Sequence, residues 1–333
     1  MTQTVLSGLR PTGRVHLGNY FGAVKNWVDL QNSGLYRCFF FVADLHALTT
    51  DYADTEALAG FTREAVLDWL AVGLDPEKST IFLQSRVPQH AELALYFSMI
   101  TPLGWLERVP TYKDQIDQLR GKELATHGFL GYPVLMTADI AVYRSQLVPV
   151  GEDQASHLEI CREIVRRFNG LYREVFPEPK ALYTPTPKVN GVDGRKMSKS
   201  YGNTIGVTES AESVAQKVMA MVTDPARVRR QDPGNPDNCN LFPFHVLYSP
   251  ADQVKIVDVE CRTAARGCVD CKKHLISNLN PALEPFRKRR EELLSRPTDV
   301  VRDVLHAGDG AARTVAEETM ELVRAAVKLS PEP

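Results

Sequence analysis

The sequence lacks a long apolar run: no stretch approaches the roughly 18 uninterrupted apolar residues that a membrane-spanning helix needs. It also lacks an excess of charge, because 39 Lys and Arg residues face 41 Asp and Glu residues, for a net charge of −2. This balance excludes a histone-like polycation but leaves open a local basic patch that binds nucleic acid. The N-terminus does not have the charged-then-apolar pattern of a signal peptide. We therefore expect a cytoplasmic protein.

Cysteine is also scarce, and six residues in a cytosolic chain of 333 do not indicate a disulfide framework. Cys38 and Cys161 lie in apolar or amphipathic runs, which is typical of buried filler. The other four crowd together with the spacing Cys239-x21-Cys261-x6-Cys268-x2-Cys271. This spacing predicts a tetrathiolate metal site, with unligated thiols as the alternative.

Short apolar runs alternate with helical patterns in the first half of the chain. The runs at 5–7, 38–43, 81–83 and 147–150 have strand length, and helical spacing occupies 18–31 and 54–73. This alternation predicts an α/β fold with a Rossmann-like, doubly wound parallel sheet. Ligands of such sheets bind beyond the carboxyl ends of the strands.

The second half of the chain predicts a second, all-α domain. Helical patterns cover 208–222, 250–265, 270–294 and 311–328, after a stretch rich in Pro and Gly that begins at Tyr183. We divide the chain into a catalytic domain (1–190), a loop (191–204), a helical domain with the cysteines (205–310), and a C-terminal helix and tail (311–333).

Two motifs carry candidate chemistry. The first turn, Ser7-Gly-Leu-Arg-Pro-Thr-Gly-Arg-Val-His-Leu-Gly-Asn-Tyr20, joins a predicted strand to a helix whose N-terminus suits phosphate. The lysine loop, Lys196-Met-Ser-Lys-Ser200, places two lysines where they can neutralise a polyphosphate. Either motif alone is also typical of a plain surface turn or loop, but the pair favours nucleotide binding.

The pair resembles the two signature sequences of class I aminoacyl-tRNA synthetases. The wider context is similar to the bacterial tryptophanyl-tRNA synthetase family: Ala43-Asp-Leu-His-Ala-Leu-Thr49, Gly131-Tyr-Pro-Val-Leu-Met-Thr-Ala-Asp-Ile140 and Val148-Pro-Val-Gly-Glu-Asp-Gln154 follow in the same order. The resemblance extends from residue 5 to beyond residue 300.

The resemblance implies roles for individual residues. Those expected to act in catalysis are His16, Asn19, Lys196 and Lys199. Those expected to bind ATP are Arg10, Pro11, Thr12, Gly18, Asn19, Gly151, Glu152, Asp153, Val189, Lys196, Met197, Ser198, Lys199 and Ser200. Those expected to surround tryptophan are Leu6, Tyr132, Met136, Asp139, Ile140, Val148, Val150 and Gln154.

The residues themselves support the proposed amino-acid pocket. The indole N–H can only donate a hydrogen bond, so a selective pocket needs apolar walls and one acceptor. Asp139 is a carboxylate amid Met136 and Ile140 and would supply that acceptor. The alternative is an aspartate on the surface of a helix.

The sequence departs from the family pattern at two positions. Arg10 stands where the family usually has Gln, and Gln115 stands where a second Lys follows Lys113-Asp114. The missing lysine is thought to contact ATP phosphates, and Arg10 is a candidate to replace its charge.

A subset of the family has nearly the same cysteine spacing and holds a [4Fe–4S] cluster. The resemblance therefore implies that Cys239, Cys261, Cys268 and Cys271 bind an iron–sulfur cluster, with zinc as the alternative. It also implies that the helical domain binds the tRNA anticodon. The basic residues near these cysteines predict a basic face there: Lys272, Lys273, His274, Arg287, Lys288, Arg289 and Arg290.

The function implied is that of a tryptophan–tRNA ligase, which uses ATP with Mg²⁺ to form tryptophanyl-adenylate and charges tRNA(Trp). The family implies a homodimer and neither a membrane nor a DNA partner. Two alternatives remain open at this stage: a tyrosyl-tRNA synthetase, and a synthetase paralogue that serves as a tRNA-binding or regulatory protein.

Overall fold

Five parallel strands form the sheet of the computed structural model, which describes residues 2–109, 126–151, 155–183 and 189–329. Their order is β3-β2-β1-β4-β5, and every pairing between neighbours is parallel. The strands are β1 Gln3–Leu9, β2 Tyr36–Val42, β3 Ser79–Leu83, β4 Leu147–Val150 and β5 Lys180–Tyr183. The predicted α/β class and doubly wound sheet are confirmed.

Helices cover the sheet and form the second half of the chain. In the first half they are α1 Leu17–Asn19, a π-helical segment Tyr20–Val24, α2 Lys25–Ser33, α3 Asp44–Asp51, α4 Leu58–Ala71, α5 Gln89–Ile100, α6 Leu103–Leu106, α7 His127–Leu130, α8 Tyr132–Val142 and α9 Ala155–Leu171. In the second half they are α10 Ala211–Ala220, α11 Phe242–Tyr248, α12 Ala251–Arg262, α13 Cys268–Leu294 and α14 Val300–Val327. Short 3₁₀ turns occupy Gln84–Arg86, Lys199–Tyr201 and Pro236–Asn238.

The sheet is buried on both faces, as the continuous apolar run of β2 predicts. Phe39 and Phe41 belong to the hydrophobic cluster on one side of the sheet, and Cys38, Phe40 and Val42 belong to the cluster on the other. Successive side chains of a strand point to opposite faces, so a strand covered by helices on both sides must be apolar throughout. This burial leaves the strand ends as the places where polar chemistry can reach solvent.

The order of the strands determines which of their ends can form a ligand-binding crevice. The chain moves outward from β1 through β2 to β3, and then returns to the other side of β1 with β4. The carboxyl ends of β1 and β4 therefore flank a crevice at the point where the winding direction reverses, which is where ligands of such sheets bind. The first turn leaves β1 at this crevice.

The helices after residue 205 share a core with the α/β body. Leu275, Leu279 and Leu283 of α13 are fully buried in the same cluster as Trp27 and Trp69. The helix α13 is 27 residues long and contains Pro281 and Pro285 in its interior. In the part of the chain that the structure describes, no helix is both long and apolar enough to cross a membrane.

The division predicted at residues 310 and 311 falls inside one continuous helix. The helix α14 begins at Val300, and its buried face packs on β3 and α5. Gly308 and Gly310 look like a break in the sequence pattern, but Gly308 is where the helix approaches the strand most closely. A Cβ atom at Gly308 would lie 1.8 Å from the carbonyl oxygen of Ile81.

This close approach yields a matched pair of variants. Gly308→Ala should lower the free energy of unfolding by about 1–3 kcal/mol, because overpacking against a backbone atom forces the helix away from β3. Gly310→Ala, where the added Cβ meets nothing within 4 Å, should raise it by about 0.5–1 kcal/mol through helix propensity. Urea denaturation followed by circular dichroism measures both. Equal midpoints would show that α14 is not seated on β3 in this way.

Candidate functional site

The first turn and the lysine loop, which lie some 180 residues apart in the chain, are neighbours in the structure. The backbone N–H of Leu17 donates to the carbonyl of Ile205 at 2.9 Å, and that of Val207 donates to the carbonyl of Val15 at 3.0 Å. His16 lies opposite Gly206 in this short antiparallel bridge. The segment that follows the lysine loop is thus held against the first turn by backbone hydrogen bonds.

The lysine loop itself lies on the first turn. The Lys199 ammonium donates to the carbonyl oxygen of Thr12, and the Met197 sulfur accepts the backbone N–H of Gly18 at 3.3 Å. Gly13 has a φ of 89°, and a Cβ there would lie 3.3 Å from the Lys199 ammonium. The turn therefore needs glycine both for its left-handed backbone and for the approach of the lysine.

Asn203 braces the lysine loop from its far end. Its side-chain oxygen accepts the backbone N–H of Ser198 at 2.8 Å, and its side-chain nitrogen donates to Asp193 at 2.8 Å and to the carbonyl of Lys196 at 3.1 Å. The hydroxyls of Ser198 and Ser200 lie 2.8 Å apart. These bonds hold the backbone of the loop in place.

His16 begins the first helix as a buried, neutral group. Its Nδ1 accepts the backbone N–H of Asn19 at 3.2 Å, so the neutral ring carries its proton on Nε2. Burial, assisted by the Lys199 charge, lowers the pKa of His16 to about 4. The ring is therefore a hydrogen-bond donor, and not a cation, at neutral pH.

The charge state of Lys199 is also shifted by its surroundings. Burial lowers the pKa of Lys199 to about 8, and the charge of Arg14 adds to the shift, while the carboxylates of Asp68 and Glu64 oppose it. A phosphate anion beside this ammonium would stabilise its charged form and raise its pKa again.

Asp139 is the polar centre of the predicted amino-acid pocket. Its carboxylate is buried and accepts three hydrogen bonds, from Gln84 Nε2 at 2.7 Å, His90 Nδ1 at 2.6 Å and His46 Nε2 at 2.7 Å. Burial alone would raise the pKa of Asp139, but the two histidines outweigh it and lower the pKa to about 2. The carboxylate is ionised at neutral pH, and its burial rules out the alternative of an aspartate on the helix surface.

Most of the apolar residues predicted for the pocket belong to one hydrophobic cluster. Leu6, Ile140, Val148 and Val150 are buried in the cluster on one side of the sheet, and Met136 packs against it. The ring of Tyr132 lies 4.5 Å from that of His46, which bonds to Asp139. That these residues surround tryptophan remains a prediction.

Arg10 is not a free positive charge. Its guanidinium bonds to Asp51 at 2.7 Å and to the hydroxyl of Thr50, both at the end of α3. The charge that could replace a missing lysine is therefore balanced by a carboxylate in this structure. Pro11 is buried beside it, and Gly151 and Val189 are half-buried.

Several predicted residues lie outside the described part of the chain. They are Gln115, Glu152, Asp153 and Gln154, and their roles remain predictions.

Three residues around Asp139 were missed by sequence reasoning. His46 belongs to the motif at 43–49, which pointed to the family but not to this contact. Gln84 and His90 follow β3 in a 3₁₀ turn and at the start of α5, and no pattern marks either of them. Only their position could have indicated Gln84 and His90, because both follow the carboxyl end of a buried parallel strand.

The four clustered cysteines are free thiols near one another. Cys261 interacts electrostatically with Cys239 and Cys268, and Cys271 interacts with all three other cysteines. The Sγ atom of Cys271 lies 3.3 Å from Nε2 of His245. Among the residues that the structure describes, however, no group of three or more His, Cys, Asp or Glu side chains is arranged to hold a metal ion. The structure thus does not show the predicted metal site.

The predicted basic face is only partly exposed. Arg287 and Arg290 point inward: Arg287 donates to the carbonyl of Glu209 at 2.6 Å, and Arg290 contacts Asp68 at 2.5 Å. They are buried because α13 packs against α4 and α10. The prediction was wrong for these two residues, whereas Lys288 is exposed.

The geometry agrees with what known proteins show. Residues 2–284 match the family model of class I tRNA synthetases (W and Y). This chain belongs to that family. A tryptophan–tRNA ligase of Thermotoga maritima is 52% identical over 326 residues, which cover 98% of this chain and 99% of the relative. A tryptophan–tRNA ligase of Aquifex aeolicus is 43% identical, and the match covers 98% of this chain and 99% of that relative.

Solved structures of class I synthetases agree as well. The crystal structure of tryptophanyl-tRNA synthetase from Campylobacter jejuni, complexed with ADP and tryptophan, aligns with a TM-score of 0.86 and 36% identity, and the match covers 98% of this chain and 100% of that one. A tyrosyl-tRNA synthetase from Archaeoglobus fulgidus aligns at 23% identity, which shows the shared fold alone.

The buried carboxylate of this class I synthetase gives a stability prediction. Asp139→Asn should lower the free energy of unfolding at pH 7 by about 2–4 kcal/mol, because the new amide N–H faces donors and leaves at least one of them unpaired. Asp309→Asn is the control: its amide oxygen still accepts the backbone N–H of Leu83, so the loss should stay below about 1 kcal/mol.

The same variant has a defined pH dependence. Because the folded-state pKa of Asp139 is depressed to about 2, its ionised form stabilises the fold above the unfolded pKa of about 3.9. The difference between wild type and Asp139→Asn in urea denaturation should therefore narrow as pH falls from about 4 to about 2. A constant difference across this range would mean that Asp139 does not carry the charge in the folded protein.

Proposed function

We infer that the chain activates tryptophan with ATP and transfers it to tRNA(Trp), the activity of a tryptophan–tRNA ligase. The observation that carries this conclusion is the 52% identity to a ligase of that name over nearly the whole of both chains. The synthetase paralogue without efficient ligation is less favoured, because the lysine loop is complete and lies on the first turn.

We propose that ATP, as its Mg²⁺ complex, binds over the first turn and under the lysine loop. The positive end of the first helix's dipole suits the phosphates. The ATP-binding set remains as predicted, with Asn19 and His16 at the helix start and Lys196 and Lys199 on the loop. Thr12 and Lys199 are already in contact, so a phosphate in this position takes over the ammonium from a backbone carbonyl.

Activation needs no side-chain nucleophile. The tryptophan carboxylate attacks the α-phosphate in line, the bond to the bridging oxygen breaks, and pyrophosphate leaves with its charge neutralised. The protein contributes position and fixed charge. His16 can donate from Nε2 as a neutral ring, and the two lysines stabilise the departing pyrophosphate. In the second step a hydroxyl of the terminal tRNA ribose attacks the acyl carbonyl, and AMP leaves.

The tryptophan pocket is proposed to read the indole N–H with Asp139. A carboxylate offers about four acceptor positions, and three are used by Gln84, His90 and His46. The remaining position on the oxygen bound to His46 is available to one more donor. The tyrosyl-tRNA synthetase alternative is less favoured because of the 52% identity to a tryptophan–tRNA ligase over 98% of this chain.

We propose a homodimer and a tRNA-binding role for the helical part. Three large apolar side chains on α5 and α6 are exposed by 59–71%: Leu95, Met99 and Leu103. Exposed apolar patches of this kind favour an interface, and a second copy of this chain is the occupant we propose. The tRNA anticodon would meet the helices after residue 205, and the reaction would take place in the cytoplasm.

The four cysteines are proposed to hold a [4Fe–4S] cluster. The donor set fits, because four thiols with no disulfide lie within electrostatic range of one another. Four cysteine thiolates are the usual protein ligands of such a cluster, and a single zinc ion is the alternative occupant. When bound, the cluster would join α12 to the start of α13.

The activity is tested by tryptophan-dependent exchange of pyrophosphate into ATP, with Lys199 variants as the probe. Lys199→Ala should slow exchange by about 10²-fold, because departing pyrophosphate loses a fixed counter-charge. In wild type, kcat/KM for ATP should fall as pH rises through about 8, the pKa of Lys199. Lys199→Arg, which stays charged, should lose this fall. Exchange that is independent of tryptophan would contradict the function, and identical pH profiles would contradict the role of Lys199.

The cluster is tested by metal analysis after anaerobic purification. The protein should be brown and contain about four irons per chain. Cys268→Ser should lose the iron, lower the thermal midpoint and weaken tRNA charging, while tryptophan-dependent exchange remains largely intact. Cys38→Ser, which changes a buried cysteine of the sheet, should keep the iron. Protein that contains zinc would support the alternative metal, and protein without iron or zinc would contradict the site.

A further inference from the structure

Asp68 is a fully buried carboxylate that the proposed mechanism does not use. It lies on α4 with no solvent exposure. Its Oδ2 accepts the backbone N–H of Val15 at 2.7 Å, and its Oδ1 accepts the hydroxyl of Thr208 at 2.7 Å and the guanidinium of Arg290 at 2.5 Å. Three separate parts of the chain therefore meet on one side chain.

Two of these parts flank the signature motifs. Val15 directly precedes His16, and Thr208 follows the backbone bridge between residues 15–17 and 205–207. Arg14 adds a second tie, because it donates to the carbonyl oxygen of Thr208 at 2.7 Å and to its hydroxyl at 2.6 Å. The carboxylate thus bonds to both strands of the bridge that holds the loop segment on the first turn.

The third part is the helix α13. Arg290 joins Asp68 to Glu64 by placing one nitrogen on each, the second at 2.6 Å. One turn earlier, Arg287 donates to the carbonyl of Glu209, which follows Thr208 in the chain. The same helix begins with Cys268 and Cys271. Its far end therefore contacts both the body and the segment after the lysine loop.

A carboxylate in this position is costly unless all its partners are present. Removing one member of a buried charge pair leaves an uncompensated charge, and the network has to shift to find another partner. Movement of Arg290 is therefore transmitted to Val15 and Thr208, since they bond to the same two oxygens.

We propose that Asp68 is a positioning residue that fixes the first turn against the lysine-loop segment, and that Arg290 makes this arrangement depend on α13. The inference rests on the proposed function, because it takes the two motifs as the ATP site. It makes the helical part of the chain a determinant of ATP use even without tRNA.

Two mild variants test the proposal, with one matched control. Arg290→Lys keeps the charge but cannot bridge Asp68 and Glu64, and Thr208→Val removes one donor while leaving every charge in place. Each should raise the KM for ATP or lower kcat in pyrophosphate exchange by about 10-fold, the effect of one hydrogen bond to a charged group. The KM for tryptophan should not change, because Asp139 lies outside this network.

Arg324→Lys is the control. Like Arg290, Arg324 lies on a long helix and pairs with two carboxylates, those of Glu92 and Glu317, but it lies away from both motifs. It should leave every kinetic constant unchanged even if stability falls. In the double variant Thr208→Val with Arg290→Lys, the fold loss in pyrophosphate exchange should be smaller than the product of the two single-variant fold losses. In Thr208→Val with Arg324→Lys, the fold loss should equal that product.

The outcomes separate this inference from the proposed function. Wild type without tryptophan-dependent exchange would contradict the function itself. Wild-type exchange with equal losses in Arg290→Lys and Arg324→Lys, or with KM for tryptophan and ATP raised together, would overturn the positioning role. If Arg290→Lys does not fold, Thr208→Val alone decides, and normal ATP kinetics in that folded variant would overturn the proposal.

Discussion

The burial of the sheet on both faces is the constraint on which the rest of the structure depends. Helices cover both faces of β1 and β2, so the middle of each strand, Val5 and Leu6 in β1 and residues 38–42 in β2, is buried and apolar. Most polar side chains of the site lie at the carboxyl ends of strands and on the helices that follow them. The first turn, the motif at 43–49 and the Gln84 turn all follow the carboxyl ends of strands. The site is therefore built from segments that are distant in sequence but adjacent at one edge of the sheet.

Two buried carboxylates interrupt this apolar interior, and both gather histidines, arginines or backbone donors around themselves. Asp139 gathers Gln84, His46 and His90. Asp68 gathers donors from the first turn, the loop segment and α13. A buried charge requires a complete set of partners, so each carboxylate fixes the relative position of the elements that supply them. In this way polar contacts give the apolar core a defined geometry at the site.

Sequence reasoning found the fold because its signals are local. The apolar run at 38–43 predicts a buried parallel strand, and the structure places β2 at the middle of one half of the sheet. The motifs of the first turn and the lysine loop pointed to the family by resemblance, and the structure brings the two motifs into contact. The start of α14 was misplaced, because the helical pattern was predicted from residue 311 whereas the helix begins at Val300. Gly308 lies inside it and is explained only by its contact with Ile81, far away in the sequence.

The hydrogen-bond networks around the buried carboxylates were not predictable, because they join residues that are distant in the sequence. Asp68 occupies an ordinary position in a helical pattern, and its partner Arg290 is 222 residues away in a run of basic residues that looks like a solvated face. Nothing within either segment distinguishes a paired, buried arginine from an exposed one such as its neighbour Arg289. Contacts of this kind appear only when the tertiary packing is known.

The length of α13 has a mechanical consequence. At 1.5 Å per residue, about 33 Å separate Cys268 from Arg290 along the axis. Over that length a tilt of only about 5° at one end displaces the other by about 3 Å, roughly the span of a hydrogen bond. Pro281 and Pro285 each remove a backbone donor from the middle of the helix, so the helix is least stiff there. The stiffness of the helix between the cysteines and Arg290 thus determines how much of a small rotation at its N-terminal end reaches Asp68 and the first turn.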